Sequence, residues 1–164
     1  MASSPAPSPN APAVTARRLA LDEMTAAARL CRAAYDRALP WLAGRHTASE
    51  DARYFAEKVF PAGPVWGAFA DDRLLGVIAM VGDHVDQLYV TPADQAGRVG
   101  SLLLDIAKAG SDTLSLFTFA RNDRARTFYE RRGFVAVEHR DGSDNEEGEP
   151  DVRYVWQRGP AAAL

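Results

Sequence analysis

LYVTPADQAGRVGS, residues 88–101, is the stretch of sequence that decides the fold. Its strand-forming start gives way after Pro92 to the segment 99–109, in which apolar residues recur at helical spacing. A helix that begins after a strand leaves its first backbone N–H groups without partners, and the helix dipole attracts anions to them. Gly97 and Gly100 allow a close approach to the backbone. The stretch therefore predicts a phosphate-binding loop, with a plain strand-to-helix turn as the simpler alternative.

A second informative stretch is NDRARTFYERRGF, residues 122–134. It predicts a helix over 122–132 that ends at Gly133, with basic residues in its last turn. Asn122 and Tyr129 are seven residues apart, so two helical turns place them on nearly the same face. An amide and a phenol on one stripe suggest a binding surface, whereas the simpler alternative is a helix cap followed by a core tyrosine.

Together the two stretches resemble the GNAT family of acyl-CoA N-acyltransferases. The family's loop reads Gln/Arg-x-x-Gly-x-Gly/Ala after a strand ending in Val-x-Pro, and its helix reads Asn-x-x-Ala-x-x-Phe-Tyr-x-x-x-Gly-Phe. Every defined position of the helix pattern is matched between Asn122 and Phe134. In the loop, Arg98 stands where the family usually has its first glycine, and Gly97 is displaced by one position. The resemblance covers residues 14–158.

The fold class expected from the resemblance and from the element order is α/β (α+β), the GNAT fold. It has a mixed central sheet of about seven strands with helices on both faces. Predicted strands cover residues 14–20, 65–70, 74–81, 84–90, 113–118, 134–139 and 152–156. Predicted helices cover residues 22–39, 47–60, 99–109 and 122–132, the second beginning with a Thr47–Glu50 capping box. We expect one N-acetyltransferase domain at 14–158, a disordered tail rich in Pro, Ser and Ala at 1–13, and a flexible C-terminal tail at 159–164.

The resemblance implies an N-acetyltransferase that uses acetyl-CoA as co-substrate, without a metal, and joins it to an amine in a ternary complex. Tyr129 would be the proton donor to the departing CoA thiolate, and Asn122 would bind the pantetheine arm. The backbone of Leu88 and Val90 would bind pantetheine and pyrophosphate. The full set of residues expected at the cofactor is Leu88, Tyr89, Val90, Gln95, Ala96, Gly97, Arg98, Val99, Gly100, Ser101, Asn122, Ala125, Phe128 and Tyr129.

The general base is less well specified by the sequence. An alkyl amine with a pKa of ~10 is cationic at pH 7, and its deprotonation costs about 4 kcal/mol. His84 and Asp86 are expected to alternate with Leu88 on one face of a strand, and both are candidate bases. A loop carboxylate such as Glu147, or no protein base at all, remains open.

The acceptor site is expected where the family places it, beside the loop between the last two strands. Residues 141–151 contain six acidic residues, which would attract a cationic amine or would form an ordinary solvated loop. Aromatic residues between the first two helices offer a second wall. The residues expected at the acceptor, a small cationic amine or a peptide amino group, are Tyr35, Trp41, Glu146 and Glu147.

Composition restricts the other function classes. The net charge of −3 gives no polybasic surface for nucleic acid, which argues against an enzyme that acylates aminoacyl-tRNA. The longest apolar run, 74–81, is too short to span a membrane, and a cytoplasmic location is expected. Cys31 is the single cysteine, so no disulfide can form within the chain. A homodimer is compatible with the sequence. The competing function is a non-catalytic acyl-CoA-binding module, which Arg98 favours and Tyr129 disfavours.

Overall fold

The computed structural model describes residues 12–95 and 97–160. The expectations for most of the N-terminal tail (1–11), for Ala96 in the predicted loop and for residues 161–164 lie outside the described residues.

The core of the fold is a seven-stranded mixed sheet. Its strands are β1 (Val14–Arg18), β2 (Val65–Ala70), β3 (Arg73–Val81), β4 (His84–Val90), β5 (Thr113–Phe119), β6 (Val135–Arg140) and β7 (Asp151–Gln157). The order across the sheet is β1-β2-β3-β4-β5-β7-β6, and β4 with β5 is its one parallel pair. This confirms the predicted mixed sheet, with most strand ends within two residues of the prediction.

The helices are α1 (Met24–Ala38), α2 (Ala48–Tyr54), α3 (Val99–Ala109) and α4 (Asp123–Glu130). The predicted capping box starts α2: Thr47 Oγ1 accepts from the Glu50 amide at 3.1 Å, and the Glu50 carboxylate accepts from the Thr47 amide at 3.0 Å. The helix continues to Ala62, two residues beyond its predicted end at 60, but its π-helical turn, Phe55–Val59, was not indicated by the sequence pattern.

Alternation along β3 gives the sheet two cores. Ile78 packs with Leu103 of α3 on one face, and Val77 packs with Met24 and Ala28 of α1 on the other. All five side chains are at most 1% exposed. Burial of each larger apolar side chain contributes roughly 1.5–3 kcal/mol, so both helical layers are tied to the sheet. The expectation of helices on both faces is therefore confirmed.

Two irregularities of β4 shape the centre of the sheet. It pairs with β5 only at His84 and Ser115, and beyond that point the two strands diverge. Against β3, Ala79 pairs with Gln87 and Met80 with Val85, so Asp86 is the extra residue of a β-bulge. The expectation that His84 and Asp86 share a face with Leu88 is therefore wrong, because the bulge shifts the alternation by one residue.

Candidate functional site

A cleft of 620 Å³ opens between β4, the loop that follows it, α4 and the end of α1, which contributes Ala34 and Ala38. We call it the α4 cleft. The expected cofactor residues that line it from β4 and the loop are Leu88, Tyr89, Val90, Gln95, Gly97 and Gly100. Those that line it from α4 are Asn122, Ala125, Phe128 and Tyr129. The structure thus brings ten of the expected cofactor residues together at one cleft.

The three other described cofactor candidates lie at the start of α3 without lining the cleft. Val99 is buried in the core, and the Ser101 hydroxyl accepts hydrogen bonds from Arg132. Arg98 is the exposed N-cap residue of α3, with φ −93° and ψ 6°. Because this φ is negative, the position does not need a glycine, and Arg98 imposes no backbone strain on the loop.

The loop is held by local contacts. The Gln95 side chain donates to the Val90 carbonyl at 3.1 Å, and the Thr91 hydroxyl donates to the Asp94 carboxylate. Gly100 approaches α4 closely, since a Cβ there would lie 3.1 Å from the Phe128 ring, which is tighter than an ordinary van der Waals contact. This contact sets the spacing between the N-terminus of α3 and the helix α4.

Asn122 and Tyr129 face the cleft, and both also have a structural role. The Asn122 side-chain carbonyl caps α4 by accepting from the Ala125 amide at 3.2 Å. Tyr129 is only 8% exposed, and its ring packs against Phe128 and Phe134 with centroid distances of 5.2 and 5.5 Å. Burial raises the pKa of the Tyr129 phenol, so it stays protonated at neutral pH.

Three arginines of the cleft were not singled out by the sequence argument. Arg124, Arg131 and Arg132 line it together with the loop. The sequence pattern explains the basic residues near Gly133 by their interaction with the dipole at the helix end. A usable signal was present, because Arg124 and Arg131 repeat the seven-residue spacing of Asn122 and Tyr129. These cations suit an anionic ligand.

A second cavity of 540 Å³ is lined by α1, α2, β4, β5 and the acidic loop, and we call it the α1 cavity. Its aromatic lining consists of Tyr35, Tyr54, Phe55, Tyr89, Phe117 and Phe119. Its charged lining has four carboxylates and two guanidinium groups, from Glu50, Asp51, Glu146, Glu147, Arg32 and Arg45. The excess of carboxylates favours a cationic occupant.

Three of the four expected acceptor residues border the α1 cavity. Burial and the neighbouring Glu147 carboxylate raise the pKa of Tyr35 to about 12. The Glu146 carboxylate lies 2.8 Å from His46 Nε2, and the Glu146 backbone carbonyl accepts from Arg45 at 3.0 Å. These bonds connect the acidic loop to the α1–α2 connection. Trp41 does not line the cavity and is 42% exposed.

The two candidate bases on β4 border neither cavity. His84 Nδ1 lies 3.0 Å from Ser115 Oγ, and its ring lies 5.7 Å from that of Phe117, which does border the α1 cavity. Burial lowers the pKa of His84, although Asp86 opposes the shift, so the imidazole is neutral at pH 7. Asp86 is exposed on the bulge, and its neighbour Gln87 lines the cavity.

Tyr89 joins the two cavities, because it lines both. It lies on the part of β4 that has diverged from β5, where the sheet is open between its faces. Molecules bound in the two cavities can therefore meet at this strand. Within residues 12–95 and 97–160, no cluster of His, Cys, Asp or Glu is arranged to hold a metal ion. None of the described helices has the length and hydropathy needed to cross a bilayer.

A family model described as an acetyltransferase (GNAT) domain matches residues 48–152. Peptidyl-lysine N-acetyltransferase YjaB from Salmonella typhimurium is 29% identical over 75 residues, which are 45% of this chain and 52% of that protein. The match to YjaB from Escherichia coli has the same identity and covers 51% of that protein. The chain thus spans about half the length of the curated relatives it matches.

Solved structures show the same architecture. The solution structure of apo YjaB from Escherichia coli aligns with a TM-score of 0.74 at 20% identity, covering 90% of this chain and 99% of that one. The PaiA N-acetyltransferase from Thermoplasma acidophilum, solved with coenzyme A, aligns with a TM-score of 0.70 at 21% identity, covering 88% and 99%. At these identities the likeness shows a shared fold.

Proposed function

The chain belongs to the acetyltransferase (GNAT) domain family, and from this premise we propose that it transfers an acetyl group from acetyl-CoA to a cationic primary amine. The observation that carries the proposal is the pair of cavities that meet at Tyr89 on the opened strand β4. One cavity has the chemistry for an anionic donor, and the other has the chemistry for a cationic acceptor.

The donor is proposed to occupy the α4 cleft. Its volume of 620 Å³ lies in the range of ordinary cofactor sites. The backbone edge of β4 that has parted from β5 offers N–H and C=O groups to the amides of pantetheine. The start of α3 offers its first amides, and α4 offers cationic side chains, to the phosphates. The PaiA relative, solved with coenzyme A, supports this assignment.

The acceptor is proposed to occupy the α1 cavity. The carboxylates of Glu146 and Glu147 attract an ammonium group, and the aromatic walls favour a cation over their faces. The relative named peptidyl-lysine N-acetyltransferase supports a lysine side chain as acceptor. A small alkyl amine carries the same recognised group, and we propose Glu147, beside Tyr35, as the carboxylate that holds it.

The proposed reaction is a direct attack in the ternary complex. The amine gives up a proton, for which we propose neutral His84 acting through water, and its nitrogen attacks the thioester carbon. A free N–H of β4 stabilises the oxyanion. Collapse of the tetrahedral intermediate then breaks the C–S bond and releases the CoA thiolate.

Tyr129 is proposed to stabilise the departing thiolate. Its pKa is raised above the usual ~10, whereas a thiol has a reference pKa of ~8.5. A proton is therefore retained by the phenol in preference to the sulfur. We propose that Tyr129 acts by hydrogen bonding to the thiolate and does not hand over its proton completely.

Initial rates of thiol release from acetyl-CoA, measured across a panel of cationic, neutral and anionic amines, test the proposal. We expect amine-dependent release that favours cationic primary amines. A chain that binds acetyl-CoA but releases no thiol with any amine would instead be a non-catalytic acyl-CoA-binding module. Reaction with only neutral or anionic amines would contradict the proposed acceptor class.

A further inference from the structure

Arg132 is held in one orientation at the junction of α3 and α4. Its Nε and Nη2 atoms donate to Ser101 Oγ at 3.0 and 2.7 Å, and Nη1 donates to the Phe128 carbonyl at 2.9 Å. The guanidinium carbon also lies 3.7 Å from the centroid of the Phe128 ring. The side chain is half-buried, so these contacts fix a long and otherwise mobile group.

The charge of this arginine has no acidic partner within the part of the chain that the structure describes. Two other half-buried arginines do have one: Arg32 pairs with Asp51 at 2.7 Å, and Arg140 pairs with Asp151. A guanidinium carries five N–H groups, and three are used by Ser101 and Phe128, which leaves two. A fixed, half-buried cation with unused donors is suited to an anionic ligand.

The position of Arg132 identifies the anion. Ser101 belongs to the first turn of α3, where unpaired amides and the helix dipole already favour a phosphate. Arg132 lines the α4 cleft beside the loop residues Gly97 and Gly100. The guanidinium therefore lies where the first amides of α3 meet a side-chain cation.

We propose that Arg132 binds the diphosphate of CoA, and that Ser101 and Phe128 position its guanidinium for this contact. The inference rests on the proposed function, since it takes CoA as the ligand of the α4 cleft. Ser101 then acts through Arg132, because it holds the guanidinium in place. The side chain of Arg98 does not line the cleft, so Arg132 supplies the cation that Arg98 does not.

Three ligands separate this role from the alternatives: CoA, dephospho-CoA, which keeps the diphosphate but lacks the 3′-phosphate, and pantetheine, which has neither. Dissociation constants are measured by calorimetry for the first two and by competition for pantetheine. For Arg132→Gln we expect CoA and dephospho-CoA to bind about 10- to 100-fold more weakly, as for loss of a charge-assisted hydrogen bond, with pantetheine unchanged. Arg132→Lys keeps the positive charge but lacks the several fixed N–H groups of the guanidinium, so its loss of affinity for CoA and dephospho-CoA should be smaller.

Arg53→Gln is the matched control, because it removes one exposed arginine from α2, away from the cleft. Weakening of CoA alone would assign Arg132 to the 3′-phosphate and overturn the proposal. Equal weakening of all three ligands would show a purely structural role and would also overturn it, as would no change. If Arg132→Gln does not fold, the dissociation constants of the same three ligands are measured for Arg132→Lys and Ser101→Ala, and the same outcomes test the proposal. Failure of the wild-type chain to bind CoA would instead refute the proposed function.

Discussion

Two buried tyrosines, Tyr129 and Tyr154, provide an internal comparison for the proposed chemistry. Their rings lie 6.3 Å apart in the same core. The Tyr154 hydroxyl donates to Glu130 at 2.7 Å and accepts from Arg126 at 3.0 Å. None of the side-chain hydrogen bonds among the described residues involves the Tyr129 hydroxyl, and Tyr129 lines the α4 cleft. One phenol is therefore committed to the fold, and the other is available to a ligand.

Tyr129→Phe keeps the ring and its contacts, so the free energy of unfolding should change by less than about 1 kcal/mol. If the hydroxyl stabilises the departing thiolate, its loss removes a hydrogen bond to a charged group, worth roughly 1.5–3 kcal/mol. At 1.36 kcal/mol for each factor of ten, kcat should fall about 10- to 150-fold. The dissociation constant of acetyl-CoA should change little, because the bond forms mainly as charge develops on sulfur.

Tyr154→Phe should behave in the opposite way. It removes two hydrogen bonds of the fold, which costs about 1 kcal/mol of stability and lowers Tm by roughly 2–4 °C, and it leaves kcat unchanged. Thiol-release kinetics and thermal unfolding on both variants are the assays. The reasoning is refuted if Tyr129→Phe keeps full kcat, or if both variants lose kcat and stability together.

The remaining predictions concern the acceptor and the proton. Glu147→Gln should raise KM for cationic amines about tenfold and leave KM for acetyl-CoA unchanged, while the exposed Glu57→Gln should change neither. Because burial lowers the pKa of His84, its basic form is lost only as pH falls below that pKa, which is under ~6.5. The acid limb of kcat/KM should therefore lie below pH ~6.5 in wild type and disappear in His84→Gln; an unchanged limb would exclude His84 as base. Gly142→Ala should raise KM for the amine and cost about 1–3 kcal/mol of stability, because φ is +90° and a Cβ would lie 2.5 Å from the Glu149 carbonyl carbon. Gly148, with φ +64°, has open space around it, so Gly148→Ala should have the smaller effect. A larger effect of Gly148→Ala than of Gly142→Ala, in amine kinetics or in thermal unfolding, would contradict this reasoning.

Local sequence patterns predicted most of the elements. The bounds of α3 and β4 match the predicted 99–109 and 84–90, because apolar periodicity and the intervening Pro92 act over a few residues. The start of α2 followed from the Thr47–Glu50 capping box for the same reason. Likewise, the spacing of Asn122 and Tyr129 sufficed to bring both side chains to one cleft.

Features that depend on pairing between distant segments were not predictable in this way. The bulge at Asp86 arises from the register of β4 against β3, and strict alternation of side chains cannot reveal an inserted residue. It is the reason that His84 and Leu88 lie on opposite faces. The orientation of Arg132 depends on Ser101, 31 residues earlier in the chain. Similarly, Trp41 does not line the α1 cavity and instead stacks with Arg121, whose guanidinium carbon lies 4.0 Å from the centroid of the Trp41 ring.

The central claim is that the donor binds in the α4 cleft, where β4 and β5 part and along the start of α3, and not in the α1 cavity. Amide hydrogen exchange with and without acetyl-CoA tests this most directly, because it reports on each backbone segment separately. We expect ligand-dependent protection at residues 86–90, 97–101 and 122–132, with little change in α2. Protection confined to α2 and the 141–150 loop, or no protection at saturating acetyl-CoA, would contradict the account.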